Sequence, residues 1–383
     1  MDTRTWLDTL VGFDTTSRNS NLALIETVRD WLKGQGVDAW LVHNEERTKA
    51  NLFATLPAQD GGEQGGIVLS GHTDVVPVDG QDWRTDPFRL AERDGRLYGR
   101  GSCDMKGFIA ASLALVPEFL AMPRGKPLHL ALSFDEEVGC MGAPLMLADL
   151  RDRGIRPEGC VVGEPTAMRV VVAHKGINVY RCRVHGKAAH SSLTPQGCNA
   201  IEHAARLICR IRDAADAYKA RGPYDNFYDV PFTTMTTNLI QGGIAVNTIP
   251  DLCEFSYEFR NLPGMRAADI QGEIERYVQD ELLPRMRAEF AQAAVEIEST
   301  GASPGLEDCE QAAVAELVRA LTGDRETRKV GYCTEAGLFQ GIGVPTVVCG
   351  PGSIDQAHRP DEFVSLEQLG QCEDFLRRLG RTL

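Results

Sequence analysis

The residues best suited to chemistry in this chain are histidines and carboxylates, and the first such pair is His72 and Asp74. They follow residues 67–69, an apolar run that predicts a buried strand. Residues two apart on an extended chain point to the same side, so both side chains leave the strand end together. A carboxylate beside an imidazole can accept its second N–H and fix the tautomer that binds a metal. A surface His–Asp pair in a turn is the alternative, and this motif alone does not decide.

A second carboxylate, Asp104, follows the glycine-rich stretch Gly99-Arg100-Gly101 and precedes residues 108–120, whose apolar character predicts a helix. The glycines let the backbone turn tightly, so we expect Asp104 at the N-terminus of that helix. Taken alone, a helix cap is the simpler interpretation of this residue. Asp104 also occupies the place of the third glycine of a dinucleotide-binding fingerprint, which makes a dinucleotide site a weak alternative.

Further carboxylates end two more predicted strands. Asp135-Glu136-Glu137 follows residues 128–134, and Glu164 follows residues 160–163. Adjacent carboxylates at the end of a buried strand are costly unless a cation lies beside them. A solvated turn is the alternative for the triplet. Glu136 and Glu137 can serve different purposes only where the strand breaks into a loop, because neighbours on a strand point in opposite directions.

A second histidine, His358, lies near the C-terminal end of the chain. The two imidazoles, together with the three carboxylates, suit a zinc-class metal held by nitrogen and oxygen, and they suit two metals better than one. These candidate ligands are His72, Asp104, Glu137, Glu164 and His358. If Asp104 bridges, each metal has three protein ligands and keeps an open position for water. Glu136 is then the natural general base. Spacing alone does not establish this pairing, whose two sets are His72, Asp104, Glu164 and Asp104, Glu137, His358.

Composition narrows the class of protein. A chain of 383 residues predicts two domains, and a net charge of -14 argues against a nucleic-acid partner. The eleven cysteines include no Cys-x-x-Cys pair, which favours free thiols in a reducing cytoplasm. The N-terminal residues lack the apolar core of a signal peptide, and no run approaches the roughly 20 apolar residues of a membrane span. We therefore expect a cytoplasmic protein without a membrane partner.

The predicted elements divide the chain into an α/β part and an insertion. Up to about residue 176 helices and strands alternate, with the reactive residues at the carboxyl ends of strands, where sites form in open α/β sheets. The insertion then shows strand, helix, strand, strand, helix, strand, which is the order of a ferredoxin-like α+β module. The predicted domains are 1–176 and 299–383 for the two parts of the catalytic domain, and 177–298 for the insertion.

Five segments together resemble the M20 family of co-catalytic zinc aminoacylases, deacetylases and exopeptidases, over nearly the whole chain. The resemblance implies a zinc-exopeptidase-like catalytic domain with two Zn²⁺ per subunit, for which Co²⁺ can substitute. It also implies the two ligand sets above, with Asp74 orienting His72 and Glu136 as the base. The segments are Ser70-Gly71-His72-Thr73-Asp74-Val75-Val76-Pro77, Gly99-Arg100-Gly101-Ser102-Cys103-Asp104-Met105-Lys106-Gly107, Asp135-Glu136-Glu137, Gly163-Glu164-Pro165-Thr166 and Asp355-Gln356-Ala357-His358.

The same resemblance implies that residues 177–298 form a lid and a homodimer interface. The histidine matching His190 helps to stabilise the tetrahedral oxyanion by reaching into the partner subunit's site, while Asn247 and Arg260 match positions that hold the substrate. Arg260 could clamp a carboxylate through two hydrogen bonds. A surface-loop histidine and a strand-end salt bridge are the alternatives for His190 and Arg260.

Four stretches narrow the resemblance: Glu164-Pro165-Thr166, Ala173-His174-Lys175-Gly176, Gly331-Tyr332-Cys333-Thr334-Glu335-Ala336 and Gly350-Pro351-Gly352-Ser353-Ile354-Asp355-Gln356-Ala357-His358. Within the family they most resemble the members that deacetylate N2-acetyl-L-ornithine in arginine biosynthesis. Glu335 could meet the ammonium of such a substrate, or it could accept backbone N–H groups. N-acetylcitrulline, another N-acyl amino acid, succinyl-diaminopimelate and a dipeptide remain alternative substrates. A non-catalytic binding protein is disfavoured because every metal and base position is filled. A serine hydrolase using His190 with Ser191 or Ser192 lacks a Gly-x-Ser-x-Gly elbow, and sequence neighbours rarely face each other as nucleophile and base.

Overall fold

The computed structural model describes all 383 residues, and the chain forms two compact units. Unit 1 comprises Met1–His174, Leu306–Lys329 and Thr334–Leu383. Unit 2 comprises Lys175–Gly305 together with the short return Val330–Cys333, which the sequence did not indicate. No helix combines the length and the apolar character that crossing a membrane would require.

Seventeen strands and eleven α-helices make up the fold. The strands are β1 Ala39–His43, β2 Ala50–Leu56, β3 Ile67–His72, β4 Ala91–Arg93, β5 Arg96–Tyr98, β6 Leu128–Ser133, β7 Gly159–Pro165, β8 Ala173–His174, β9 Ile177–His185, β10 Ala189–His190, β11 Thr234–Gly242, β12 Thr248–Ile249, β13 Leu252–Arg260, β14 Ala294–Ser303, β15 Lys329–Val330, β16 Thr346–Gly350 and β17 Phe363–Ser365. The helices are α1 Thr3–Val11, α2 Leu22–Gly34, α3 Lys106–Ala114, α4 Val116–Ala121, α5 Ala143–Asp152, α6 Ala200–Arg221, α7 Ala267–Tyr277, α8 Leu283–Glu289, α9 Ala313–Thr322, α10 Ala336–Gly341 and α11 Leu366–Thr382.

A six-stranded sheet in the order β1-β2-β6-β3-β7-β16 forms the centre of unit 1. Strand β3 runs parallel to both β6 and β7, and all three are buried along their whole length. Such continuous apolar runs are what a sheet covered on both faces requires. Because parallel strands end at the same edge, the residues that follow β3, β6 and β7 meet there.

Helix α3 packs on this sheet and brings the preceding loop to the same edge. Its residues from Lys106 to Leu113 are buried, and the packing on β7 is close at Gly163. A Cβ atom at Gly163 would lie 2.0 Å from the ring of Phe108, so only glycine allows the approach. The predicted helix over residues 108–120 is in fact two helices, because Pro117 at the start of α4 has no N–H to continue the α3 hydrogen bonds.

Unit 2 has the ferredoxin-like topology. Its antiparallel sheet has the order β11-β13-β9-β14, with α6 between β9 and β11, and α7 and α8 between β13 and β14. Burial alternates along β13, whose inward side chains pack with the apolar faces of the helices. The sequence predicts one helix over residues 267–283, but a π turn, Val278–Leu282, interrupts it just before Pro284, a residue that cannot donate the next helical hydrogen bond.

Candidate active site

One cluster of metal-binding side chains lies at the carboxyl end of β3. Nε2 of His72 lies 3.1 Å from Oδ1 of Asp104 and 3.7 Å from Oε1 of Glu164. All three side chains are buried. They come from the end of β3, the loop before α3 and the end of β7, so the sheet edge itself brings them together.

A second cluster shares Asp104 with the first. Nε2 of His358 lies 3.0 Å from Oε2 of Glu137 and 3.4 Å from Oδ2 of Asp104. The two oxygens of one carboxylate thus face two different histidines. The side chain of His358 is 56% exposed, which opens this cluster to solvent. Three ligand atoms lie within 4.8 Å of one another in each cluster.

The chemistry of these donors fits two divalent cations. Burial, followed by the negative charge of Asp104, raises the pKa of Glu137 to about 7 and the pKa of Glu164 well above its usual value. Hydrogen bonds with Asp104 and Glu137 raise the pKa of His358 to about 10. In the metal-free protein, bound protons on these three side chains therefore offset the negative charge of the clustered carboxylates. Cations held by nitrogen and oxygen would take over that role.

Asp74 supports both His72 and the loop after β6. Nδ1 of His72 donates to the backbone oxygen of Asp74 at 2.9 Å, whereas the carboxylate lies 3.6 Å away. The carbonyl therefore fixes the tautomer that we expected the carboxylate to fix, because residue 74 turns its backbone toward the ring. The carboxylate instead accepts the Ser17 hydroxyl at 2.7 Å and the backbone N–H groups of Glu136 and Glu137 at 3.0 and 3.3 Å.

The chain turns sharply after β6, which separates Glu136 from Glu137. Asp135 has a φ of 55°, in the left-handed region that non-glycine residues seldom adopt. Its carboxylate lies 2.6 Å from Nζ of Lys49, which also donates to the Ser17 carbonyl. The predicted break into a loop therefore exists. Glu137 reaches His358, while Glu136 stays outside both ligand clusters.

Glu136 is a half-buried residue whose carboxyl group has a raised pKa. Burial, opposed by the charge of His72 and reinforced by the charges of Glu137 and Glu335, raises its pKa well above the usual value. Its Oε1 lies 3.5 Å from Sγ of Cys140. A carboxyl group with a raised pKa binds a proton more readily than an ordinary carboxylate, which suits a general base in hydrolysis.

Glu335 is also buried, at the beginning of α10. Its Oε1 has no hydrogen-bond partner. Burial raises the pKa of this carboxyl to about 7, although interaction with the Ser133 hydroxyl and the charge of His72 act to lower it. Backbone N–H groups therefore do not saturate this carboxylate, which leaves one oxygen available to a cation.

His190 and Asn247 lie together at the two-stranded sheet of β10 and β12, which precedes β13 in the chain. His190 pairs with Thr248 between β10 and β12, and Ser191 donates its N–H to the Asn247 carbonyl at 3.0 Å. His190 and Asn247 are both exposed. Nδ1 of His190 lies 2.8 Å from the Ser192 hydroxyl, a contact that we had expected sequence neighbours to avoid. The Ser192 N–H also points to this nitrogen at 3.2 Å, so the contact is the cap of a 3₁₀ turn.

Arg260 lies in the four-stranded sheet of unit 2, at the end of β13. Arg260 is the last residue of β13, whereas β12 lies next to the first residue of that strand. Its Nε lies 3.3 Å from Oε1 of Glu258, which is the strand-end salt bridge considered as its alternative role. At about 3.3 Å per residue, the two ends of β13 are roughly 26 Å apart. Unit 2 therefore does not bring Arg260 together with His190 and Asn247.

The sequence did not single out Ser17 and Lys49, although both support the loop that carries Glu136. Ser17 precedes Asp74 by 57 residues, and Lys49 precedes Asp135 by 86. Neither lies in a motif or beside a predicted strand end. Only the pairing of β2 with β6 brings Lys49 close to Asp135, and no local spacing signals that pairing.

Comparison with known proteins agrees with this geometry. Residues 68–382 match the sequence profile of peptidase family M20/M25/M40. An acetylornithine deacetylase from Pasteurella multocida (strain Pm70) is 36% identical over 376 residues, which cover 97% of this chain and 94% of that protein.

Solved structures share the fold. An M20 family metallo-carboxypeptidase from Sulfolobus solfataricus matches with a TM-score of 0.74 at 18% identity, over 100% of both chains. The YXEP protein of Bacillus subtilis, a dinuclear metal-binding peptidase from the M20 family, matches with a TM-score of 0.64 at 15% identity, over 99% of this chain and 97% of that one.

Proposed function

The chain belongs to peptidase family M20/M25/M40 and is a hydrolase of amide bonds, and we propose that it deacetylates N2-acetyl-L-ornithine with two zinc ions per subunit. The observation that carries this proposal is the division of Asp104 between two histidines, with Oδ1 near His72 and Oδ2 near His358. One carboxylate can then serve two metals. The dinuclear metal site of the Bacillus subtilis structure, which has the same fold, supports this interpretation.

In the proposed enzyme, His72 and Glu164 would hold one metal, Glu137 and His358 the other, and Asp104 both. What the metals supply when bound is Lewis acidity toward water and toward the acyl carbonyl. Co²⁺, which accepts the same nitrogen and oxygen donors, is expected to substitute for Zn²⁺.

The residues of the chain itself would move the proton. Glu136 lies outside both ligand clusters and has a raised pKa, so it can take the proton of the attacking water and return it to the leaving amine. Asp74 holds the backbone of Glu136 in place at 3.0 Å. The backbone carbonyl of Asp74 keeps the hydrogen of His72 on Nδ1, which leaves Nε2 free to bind a metal.

The substrate is proposed from charge. Glu335 is a buried carboxyl with an oxygen that lacks a partner, and an ammonium such as that of ornithine would relieve the cost of burying it. Arg260, at the end of β13, could bind the substrate carboxylate through two hydrogen bonds. The deacetylase from Pasteurella multocida, at 36% identity, supports the same substrate. The alternative is another N-acyl amino acid, such as N-acetylcitrulline.

We also propose a homodimer formed through unit 2. The edge strand β11 and the loop after it expose Leu239, Ile240, Ile244 and Val246, and an exposed apolar edge strand is a surface that favours pairing with another chain. The two ends of β13 are roughly 26 Å apart, so Arg260 lies too far from His190 and Asn247 for one subunit to bring all three to a single site. Arg260 could serve one site, while His190 and Asn247 serve the site of the partner subunit.

The proposed substrate assigns the reaction to a biosynthetic pathway. Removal of acetate from N2-acetyl-L-ornithine supplies ornithine to arginine biosynthesis. The eleven cysteines include no Cys-x-x-Cys pair, which favours the reducing cytoplasm, where we place the enzyme.

The test is release of ornithine from N2-acetyl-L-ornithine by the purified protein with zinc or cobalt. A chelated sample is the control, and N-acetylcitrulline, N-acetylmethionine and succinyl-diaminopimelate are the competing substrates. Metal-dependent release with ornithine's derivative preferred supports the proposal. Preference for another acyl amino acid would keep the chemistry and replace the substrate. Hydrolysis unaffected by removal of the metals would overturn the two-metal mechanism.

A further inference from the structure

Glu362 lies beneath the loop that carries Asp104, and its side chain is only 1% exposed. Its Oε1 accepts the backbone N–H groups of Cys103 and Asp104 at 2.9 and 3.0 Å. Its Oε2 accepts the N–H of Gly101 at 3.0 Å and Nη1 of Arg100 at 2.7 Å. Four donors therefore converge on one buried carboxylate.

The main chain of Glu362 binds the same loop. Its carbonyl accepts the N–H of Gly99 at 3.0 Å and faces the hydroxyl of Ser102 at 3.4 Å. Every residue from Gly99 to Asp104 thus donates to Glu362, through either its main chain or its side chain. Hydrogen bonds to Glu362, a residue more than 250 positions away in the sequence, therefore hold this loop in its conformation.

The same contacts extend to His358. Nη2 of Arg100 donates to Oε1 of Gln81 at 2.5 Å, and Nε2 of Gln81 donates to the carbonyl of His358 at 3.0 Å. Nη1 of Arg100 also lies 3.3 Å from the carbonyl of Arg359. Asp104 and His358, which face each other across the second cluster, are therefore held by one hydrogen-bonded network centred on Glu362 and Arg100.

A carboxylate is needed at this place for a physical reason. The three backbone N–H groups are buried, and each would lose its acceptor if the side chain were removed, which destabilises the loop because a buried donor is then left unpaired. Ionised acceptors also make the stronger hydrogen bonds. An amide in place of the carboxylate would turn an NH₂ group toward donors, so at least two of the four contacts would be lost.

We propose that Glu362 is a positioning residue for the metal site: it fixes the Asp104 backbone so that one carboxylate oxygen faces each cluster, and with Gln81 it sets the place of His358. This inference rests on the proposed two-metal function. His72 and Glu164 lie on strands β3 and β7, whereas Asp104, Glu137 and His358 lie on loops. The metal bound at His358 should therefore depend most on Glu362.

The experiment titrates the full-length, metal-free protein with zinc alone in a calorimeter. In Glu362→Gln the weaker of the two binding events should lose about 10- to 100-fold in affinity, which is the usual effect of losing a group that orients metal ligands. The stronger event should change less. At saturating zinc, KM should stay near the wild-type value, because no substrate contact is altered, while kcat falls.

Glu310→Gln is the matched control. Glu310 also pairs with a guanidinium in unit 1, that of Arg319, but it touches neither the loop nor a ligand. The Glu310→Gln variant should bind zinc with the affinities of the wild type. Thermal melting of each metal-free variant separates a loss of folding from a loss of metal affinity.

Gln81→Leu provides a second test at a half-buried position, where a substitution disturbs folding less than at a fully buried one. It should weaken the second zinc event several-fold. A wild-type protein that binds no zinc would overturn both the proposed function and this inference. Two wild-type events that remain unchanged in a folded Glu362→Gln variant would overturn the inference alone. If that variant does not fold, unchanged zinc binding by Gln81→Leu would overturn it.

Discussion

Oδ1 of Asp74 accepts the backbone N–H of Glu136 at 3.0 Å. The loop that presents the proposed base is thereby attached to the strand end that presents His72, since Asp74 follows that histidine by two residues. The main chain of Asp74 orients the imidazole, and its side chain orients the loop. A metal ligand and a proton carrier thus depend on one residue for their relative positions.

Replacement of Glu136 by glutamine should abolish turnover without removing metal. The side chain is close to isosteric but cannot accept a proton, so kcat should fall by about 10²- to 10⁴-fold. Zinc content should remain that of the wild type, because Glu136 belongs to neither ligand cluster. Steady-state kinetics and elemental analysis of the same sample check this. Glu137→Gln is the contrast, since it should lower zinc content as well. Wild-type turnover by Glu136→Gln would remove it from the mechanism.

Substitution of Asp104 should affect both metals, whereas substitution of His358 should affect one. Each oxygen of Asp104 faces a different histidine, and asparagine offers one oxygen and an amide nitrogen that binds zinc poorly. Zinc content after dialysis should therefore fall from about two per subunit to about one in His358→Ala and below one in Asp104→Asn. Equal zinc contents in the two variants would argue against a shared carboxylate.

Much of the fold was predictable because it depends on local pattern. The apolar run before His72 correctly predicted β3, and the order of strands and helices in the insertion correctly predicted the topology of unit 2. The breaks at Pro117 and Pro284 were missed, since the apolar periodicity continues through both prolines.

The candidate site also has a part that the sequence predicts and a part that it does not. Its ligands stand at strand ends and in motifs, which a sequence displays. Ser17, Lys49 and Glu362 act through partners 57, 86 and more than 250 residues away. Such contacts arise from sheet order and loop packing, and no spacing along the chain encodes them. The Asp74 carbonyl that orients His72 was missed because main-chain acceptors have no residue type to recognise.

Glu335→Gln should change substrate preference if Glu335 binds the substrate ammonium. Loss of a buried ion pair should raise KM for N2-acetyl-L-ornithine by 10-fold or more. KM for N-acetylmethionine, whose side chain carries no charge, should change little. Kinetics on both substrates with one zinc-loaded preparation give the ratio of kcat/KM directly. A parallel loss on both substrates would assign Glu335 a structural role.

The same substitution should alter the dependence of stability on pH. Burial raises the pKa of Glu335 to about 7 in the folded protein, against about 4.3 in an unfolded chain. The folded state therefore keeps this proton through that window, and folding becomes less favourable as the pH rises across it. Above pH 7 the loss is on the order of 3 kcal/mol.

Metal-free Glu335→Gln, which cannot ionise there, should consequently be more stable than the wild type at pH 8. The advantage should shrink as the pH falls and should be nearly absent at pH 4.5. Urea unfolding of both proteins at pH 8, 6 and 4.5 measures the difference. An advantage that stays constant with pH would mean that Glu335 does not titrate in this way.

Mixed dimers can show whether His190 acts in the site of the partner subunit. His190→Ala and Glu136→Ala should each be nearly inactive alone. A mixed dimer would join an intact Glu136 with the partner's intact His190 in one of its two sites. Random mixing makes half of the dimers mixed, so activity should return to about a quarter of the wild-type value. Activity that stays at the level of the separate variants would place His190 in its own subunit's site or outside catalysis.

The order of the ligands along the chain has a consequence for biosynthesis. His72, Asp104, Glu137 and Glu164 all precede unit 2, whereas His358 follows Glu164 by 194 residues. The ribosome must therefore make the whole of the intervening unit before the second cluster has its histidine. A nascent chain that has folded its first strands can offer three ligands to one metal, but the pair can be completed only after unit 2 has emerged.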